Sequence, residues 1–410
     1  MVDIKDKTCS WKDKMKNDLP VVVIGQNYCT SLGIVKALGE AGYRVEIGKR
    51  VIATPRFLTP EMKSKYVGKA IYLHMGSDEE MIKAIIDNLA VPNSKKVLIP
   101  SDDFCVALID RNFNELSRYF ILPNSGNKQG CIEKIQDKKY QNEIAEKCGM
   151  MVTDSVMIEV MPNESVVIPD NTPFPCFIKP LTSVGNPKSY SQKCTDREEL
   201  ERSLSQVAKG GGCVMLVERF VEIEKEYTIP GISIGREIII PSVIEKFRTG
   251  DGAHKGVTIS GRVHKSDKIG EIVDKLKMFV GELGFQGIFD IELLQCRGQF
   301  FFNEINLRNG AAGYSLTKSG VNLPAIYVDY CVKSVKPQSP FFFKEGYTFV
   351  NEKAALENYI GGYSSLGTLL RTIGNTDIRF ILSHDDIKAC FRFLLLSLYL
   401  IGKKLLFRYH

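Results

Sequence analysis

Histidine and cysteine are not gathered into any catalytic or metal cluster in this chain. The five histidines are scattered, and the eleven cysteines run singly from Cys9 to Cys390 with no C-x-x-C and no Cys/His grouping. Metal or dithiol use of the cysteines is thereby disfavoured, and the expectation is reduced, mostly buried thiols in a cytoplasmic protein. No apolar run reaches the roughly 18–20 residues that span a bilayer; the nearest, 393–402, is bounded by Arg392 and Lys403. There is no dense Lys/Arg stripe with interleaved aromatics, and a net charge of +6 is mild for 410 residues, so nucleic acid is not indicated. A modest positive balance does suit anionic small molecules. Residues 1–18 alternate Lys and Asp without an apolar core, unlike a secretory signal, and are expected to be poorly ordered.

With 44% hydrophobic and 25% charged residues, the chain has the composition of a globular protein long enough for two or three cores. Residues 19–25 (LPVVVIG) read as a buried parallel strand, 31–41 as a helix stopped by Gly42, and 43–47 as a second strand. Further strand–helix units fall at 70–73 with 79–89 and at 97–100 with 102–116. This alternation predicts an α/β domain, a doubly wound parallel sheet, over 19–127. Residues 128–148 read as helical with a break at Gln136-Asp137. Beyond Ser155 come strands at 176–179, 214–220, 226–234 and 237–247, helices at 196–207 and 266–283, a hairpin over 287–305, and a helix over 322–335. That is an α+β region, about 128–335. Pro337 and Pro340 then open a C-terminal extension, 336–410.

The most informative segment is FDIELLQCRGQFFFNEINLRNG, 289–310. Period-2 alternation puts Asp290 and Glu292 on one face of the first strand and Phe289, Ile291 and Leu293 on the other. Glu304 and Asn306 share a face of the second strand. Pairing through the short turn closed by Gly298 brings Glu292, Glu304 and Asn306 together. Oxygen ligands converging on an apolar sheet need a counter-charge, and Mg²⁺, which takes one or two carboxylates plus substrate phosphates, supplies it. Arg308, two residues past Asn306, reaches the same side and suits a transferring phosphoryl group. Lys179, at the end of the strand in FPCFIKP, suits nucleotide phosphates, with backbone donors from the loop that holds Ser183. Lys138 lies at a helix start, where a phosphate also gains from the helix dipole; Lys139 is an equal candidate by spacing.

Taken in order, D-K at a helix start, a strand ending I-K-P, V-E-R-F-V, E-Y-T, and I-E-L…F-N-E-I-N-L-R resemble the ATP-grasp superfamily across about 19–335. The resemblance implies ATP-grasp domains after the N-terminal α/β domain. It implies ATP phosphates on Lys138 and Lys179, and adenine against the hinge Glu218–Val221, with Glu218, Phe220 and Val221 in that segment. It places ribose on Glu226, with Glu224 as a rival. It assigns Mg²⁺ or Mn²⁺ to Glu292, Glu304 and Asn306, and phosphoryl and acyl-phosphate stabilisation to Arg308. The loop after Lys179 has fewer glycines than many relatives; Ser183 or Lys188 compensates. Asp290 has no assigned role.

The C-terminal pattern resembles a carboxylate–amine ligase group that includes D-aspartate ligase-like proteins, whose members act on cell-wall or surface-polymer precursors. The implied reaction is ADP-forming: a carboxylate is activated as an acyl phosphate and joined to an amine. The alternatives are an ATP-grasp enzyme with another acceptor, such as bicarbonate or carbamoyl-phosphate chemistry, and a nucleotide-binding regulator without turnover. For the acceptor, the loop 248–255 with His254, together with Arg262, is a candidate. Ser101, Asp102 and Asp103 end a parallel strand where ligands bind in such sheets, with Asp102 read as a helix N-cap. The terminal helix, with Phe391, Leu394, Leu395, Leu398 and Ile401 at helical spacing, is expected to dock on the protein body. The rival reading is an amphipathic anchor making peripheral contact with an anionic membrane at the inner face.

Overall fold

The computed structural model describes residues 20–26, 28–51, 59–74, 76–182, 184, 188–251, 256–337 and 340–407. Five short strands, β1 (Val21–Gly25), β2 (Val45–Arg50), β3 (Val67–Leu73), β4 (Lys96–Pro100) and β5 (Phe120–Ile121), form a parallel sheet in the order β3-β2-β1-β4-β5. This is the expected doubly wound arrangement. Val22, Ile24 and Leu98 pack under the helices Asp78–Leu89 and Asp103–Arg111, whereas Val21, Val23 and Ile47 pack on the helix Tyr28–Glu40. A strand with both faces covered has to be apolar throughout, and VVVIG is. The helix expected over 102–116 is interrupted at Asn112 into Asp103–Arg111 and Phe113–Leu116. The strand order reverses between β1 and β4. There Gly25 approaches Ser101 so closely that a Cβ would lie 1.8 Å from its Oγ, which only glycine permits.

After a two-residue strand β6 (Asn124–Ser125), two sheets make up the centre of the chain. The smaller has β7 (Ser155–Val160), β8 (Cys176–Pro180), β9 (Gln192–Cys194) and β10 (Cys213–Arg219), antiparallel in the order β7-β10-β8-β9. The larger contains β11 (Lys225–Ile234), β12 (Glu237–Ile239), β13 (Ser242–Thr249), β14 (Thr258–Lys265), β15 (Phe285–Cys296), β16 (Gln299–Asn306), β17 (Thr348–Val350) and β18 (Ile378–Arg379). Its main path runs β16-β15-β11-β13-β14-β17-β18. The single strand expected over 237–247 divides into β12 and β13 at Pro241, which has no N–H to give to a ladder. The segment after 336 adds β17 and β18 to this sheet. The buried Glu352 carboxylate accepts the amides of Phe380, Ile381 and Leu382 at 3.0, 3.0 and 2.7 Å. Each sheet has its own core. Ile158, Ile178, Leu200 and Val217 belong to the smaller, and Ile229, Phe279, Phe289, Ile291 and Phe302 to the larger.

The terminal helix, Ile387–Phe407, buries Ala389, Phe393 and Leu396 against the main core, as docking on the body requires. Among the described residues no helix is long and apolar enough to cross a membrane.

Candidate active site

The site is built around one hairpin. β15 and β16 are joined by Arg297-Gly298, both with positive φ (50° and 75°), the conformation of a two-residue turn that matches strand twist. The register sets Ile291 opposite Ile305, Glu292 opposite Glu304, and Asp290 opposite Asn306. Phe289, Ile291 and Leu293 are fully buried beneath, so the alternation read from the sequence holds. A bulge follows: Leu293 faces Phe302, leaving Asn303 unpaired. An extra residue re-aims side chains, and both Asn303 and Glu304 line the cleft that opens between the two sheets.

This cleft, with a cavity of about 360 Å³, is lined by Lys138, Lys179, Glu218, Phe220, Val221, Glu226, Glu292, Asn303 and Glu304 among others. Eight of the residues expected at the site therefore converge, drawn from the helix Lys138–Lys147, the small sheet, the coil after it, and the large sheet. The break at Gln136-Asp137 has a local cause: the Asp137 carboxylate caps the helix by accepting the Tyr140 amide at 3.0 Å. That start places Lys138 inside the cleft and leaves Lys139 exposed. Glu226 lines the cleft, whereas Glu224 lies outside the lining and accepts the Gly298 amide at 3.2 Å.

Two polar relays cross the cleft. In the first, Lys179 Nζ lies 2.8 Å from Glu218 and donates to Asn303 Oδ1 at 3.1 Å. Asn303 Nδ2 donates to Glu292 at 3.3 Å, and Lys246 sits 3.1 Å from Glu292 and 3.8 Å from Glu226. In the second, Lys138 lies 3.6 Å from Glu304, Asn306 donates to Glu304 at 3.4 Å, and Arg308 donates to Asn306 at 3.0 Å. Arg308 then closes a two-point pair on Asp103 of the N-terminal domain, Nε–Oδ1 2.9 Å and Nη2–Oδ2 3.1 Å. Asn306 and Arg308 are thus next to the cleft but not in its lining, and Arg308 lies among Leu98, Pro100 and Asn309 instead. Sequence reasoning missed Asn303 and Lys246. Alternation on β13 sets Lys246 on the face shared with Ile244, but nothing in the sequence marks a bulge at Asn303.

The electrostatics follow from burial. Burial is the largest influence on Asp290 and pushes its carboxyl up to about 6, even though the Thr228 hydroxyl donates to it. Burial also raises Glu226, with Lys246 pulling against it. For Lys246 burial opposes the charge, yet Glu292 and Glu226 outweigh it and hold the ammonium above its usual range. The same balance holds Arg308 up: burial works against it and Asp103 overcomes it. Two carboxylates directly opposite on neighbouring strands repel, so Glu292 and Glu304 are each given a lysine, Lys246 and Lys138.

Among the described residues no three His, Cys, Asp or Glu side chains converge as a self-sufficient metal cage. Two adjacent carboxylates with an amide oxygen nearby match Mg²⁺ or Mn²⁺, which leave the remaining positions to phosphate and water. Asp102 caps its helix through the Cys105 amide at 2.9 Å, as expected. Thr249 and Gly256 line the cleft, Arg262 lies over the Phe247 ring, and the expected roles of Ser183 and His254 fall outside the described residues, as does the Lys188 side chain.

Two largely antiparallel sheets close on a cleft of lysines and carboxylates beside the parallel sheet of the first strands. Residues 143–321 match the ATP-grasp domain family, so the chain carries that domain. It is similar, at 24% identity over 43% of its length, to the carbamoyl phosphate synthase large chain of Clostridium beijerinckii, of which the match spans 16%. It is 22% identical to the D-aspartate ligase of Enterococcus faecium over 65% of this chain and 66% of that one. Its fold superposes on the L-amino acid ligase of Bacillus licheniformis with a TM-score of 0.60 and 17% identity, covering 81% of this chain and 79% of the other.

Proposed function

We propose that the protein is an ATP-dependent carboxylate–amine ligase that works through an acyl phosphate, with residues 128–335 as its catalytic domain. The observation that carries this reading is the direct cross-strand pairing of Glu292 with Glu304 in the same cleft as Lys138 and Lys179. The two carboxylates and Asn303 would hold Mg²⁺ or Mn²⁺, with Asn306 supporting Glu304 from behind. The cation would offset charge on the γ-phosphoryl group.

The lysines meet the phosphates, giving up contacts they now make with Glu218, Asn303 and Glu304. The apolar slot of Phe177, Val221, Leu294 and Phe302 takes a flat base against the 218–221 segment, and Glu226 takes the ribose. Arg308 stands next to the phosphoryl end, fixed by Asp103 and Asn306, where it stabilises the oxyanion as the amine attacks. Positioning and charge account for the rate, and no side-chain nucleophile is needed. Similarity to proteins named D-aspartate ligase and L-amino acid ligase supports an amino acid among the substrates. The similarity to carbamoyl phosphate synthase supports bicarbonate-type acceptor chemistry as the second reading.

The test is incubation with MgATP, pooled amino acids and hydroxylamine, with mass spectrometry of the products. ADP together with an amide, or with a hydroxamate trapped from the acyl phosphate, supports the proposal. ADP release that depends on bicarbonate and yields neither product overturns it in favour of the second reading.

A further inference from the structure

The terminal helix has a second face that the fold does not use. Ile387, Phe391, Leu394 and Leu398 recur at helical spacing, and all are between 47% and 72% exposed, opposite the buried Ala389, Phe393 and Leu396. One flank of this stripe carries Lys388, Arg392 and Lys403, and no acidic residue occurs between 387 and 407. At the start of the stripe a cavity of about 340 Å³ is lined by Lys63, Ser64, Lys388 and Arg392 together with Met62, Val67 and Phe391. The two acidic residues before the helix are turned to other work. Asp385 pairs with Lys318 at 3.1 Å, and the buried Asp386 accepts the Ser64 hydroxyl and the Lys65 amide.

We propose that this face is a docking surface for an anionic phospholipid bilayer, with the stripe entering the headgroup boundary and the Lys63/Lys388/Arg392 cavity receiving a lipid phosphate. An isolated exposed leucine needs no explanation, but four in a row beside a cationic flank do. A helix lying in the interface has an apolar side, a basic side and no counter-acid. Charge argues against a second copy of the chain as the occupant, because a two-fold contact through this face would bring the cationic flanks together with no carboxylate of the helix between them. The inference stands on a surface separate from the cleft, and it holds or fails independently of the ligase reading.

The test is flotation of the full chain with phosphatidylcholine vesicles, with and without phosphatidylglycerol. Binding is expected only when the anionic lipid is present and should weaken as salt rises. Lys388→Glu and Arg392→Glu should each lower the partition by about fivefold or more. Leu398→Glu should lower it with the cationic flank intact, and unchanged nucleotide binding in each variant shows that the fold survives. Equal binding to neutral and anionic vesicles, or none to either, overturns the proposal. So does a concentration-dependent dimer, seen by light scattering, that Leu398→Glu abolishes.

Discussion

The two walls of the cleft are built differently. The large sheet supplies Glu226, Glu292, Asn303 and Glu304 from long strands, with one bulge in the β15–β16 ladder, above a core of Ile229, Phe289, Ile291 and Phe302. The small sheet supplies Lys179 and Glu218 from adjoining short strands over a separate core. One wall carries mainly carboxylates and is anchored in the body of the protein. The other carries a cation–carboxylate pair and the apolar side chains of Phe220, Val221 and Ile223. On the proposed function, a nucleotide between them would be gripped at its metal end by the anchored wall and at its base by the lighter one. Metal-dependent chemistry and overall stability should therefore respond to changes in the first wall, and nucleotide affinity to changes in the second.

Glu304→Gln should lower acceptor-dependent ADP formation by about 10³-fold, the scale on which losing one key charge-stabilising group is felt, while the thermal midpoint moves little. Lys179→Ala should act mainly on nucleotide binding, which calorimetry with MgATP would separate from chemistry. Next in size is Lys246→Met in the anchored wall. It leaves Glu226 and Glu292 without their shared buried cation and should destabilise the protein by about 4 kcal/mol in urea unfolding.

Asp290 gives a pH signature. Its folded value of about 6 is above the ordinary 3.8, so the native state binds more protons than the unfolded chain between those values. Stability therefore falls as pH rises from about 4 through about 6, by about 3 kcal/mol for this group. Asp290→Asn should remove that slope and be the more stable protein at pH 7, with the two converging below pH 4. The smallest effect separates the two asparagines: Asn303→Ala should weaken apparent Mg²⁺ affinity by about tenfold, and Asn306→Ala by less.

Much of this was legible in the sequence because it is local. VVVIG, the Asp137 cap before Lys138 and the alternation of Phe289, Asp290, Ile291, Glu292 and Leu293 each specify their own geometry. The two-residue turn alone would set Glu292 opposite Asn303, and it is the bulge at Asn303 that brings Glu304 opposite Glu292. What was not legible depends on distant partners. Asn303 enters the cleft only through a bulge, and Lys246 matters only because β13 lies beside β11, which lies beside β15. Arg308 is likewise held by Asp103, 205 residues away along the chain. Nor does spacing alone tell that Lys138 rather than Lys139, and Glu226 rather than Glu224, faces the cleft.

The central claim is that Glu292 and Glu304 hold a divalent cation against a nucleotide whose base lies at 218–221. A crystal of the protein grown with Mn²⁺ and a non-hydrolysable ATP analogue tests it most directly. An anomalous manganese peak bridging the two carboxylates and the phosphates, with the base beside Phe220 and Val221, is the predicted result. Manganese bound elsewhere, or a nucleotide seated away from Lys179, would contradict it.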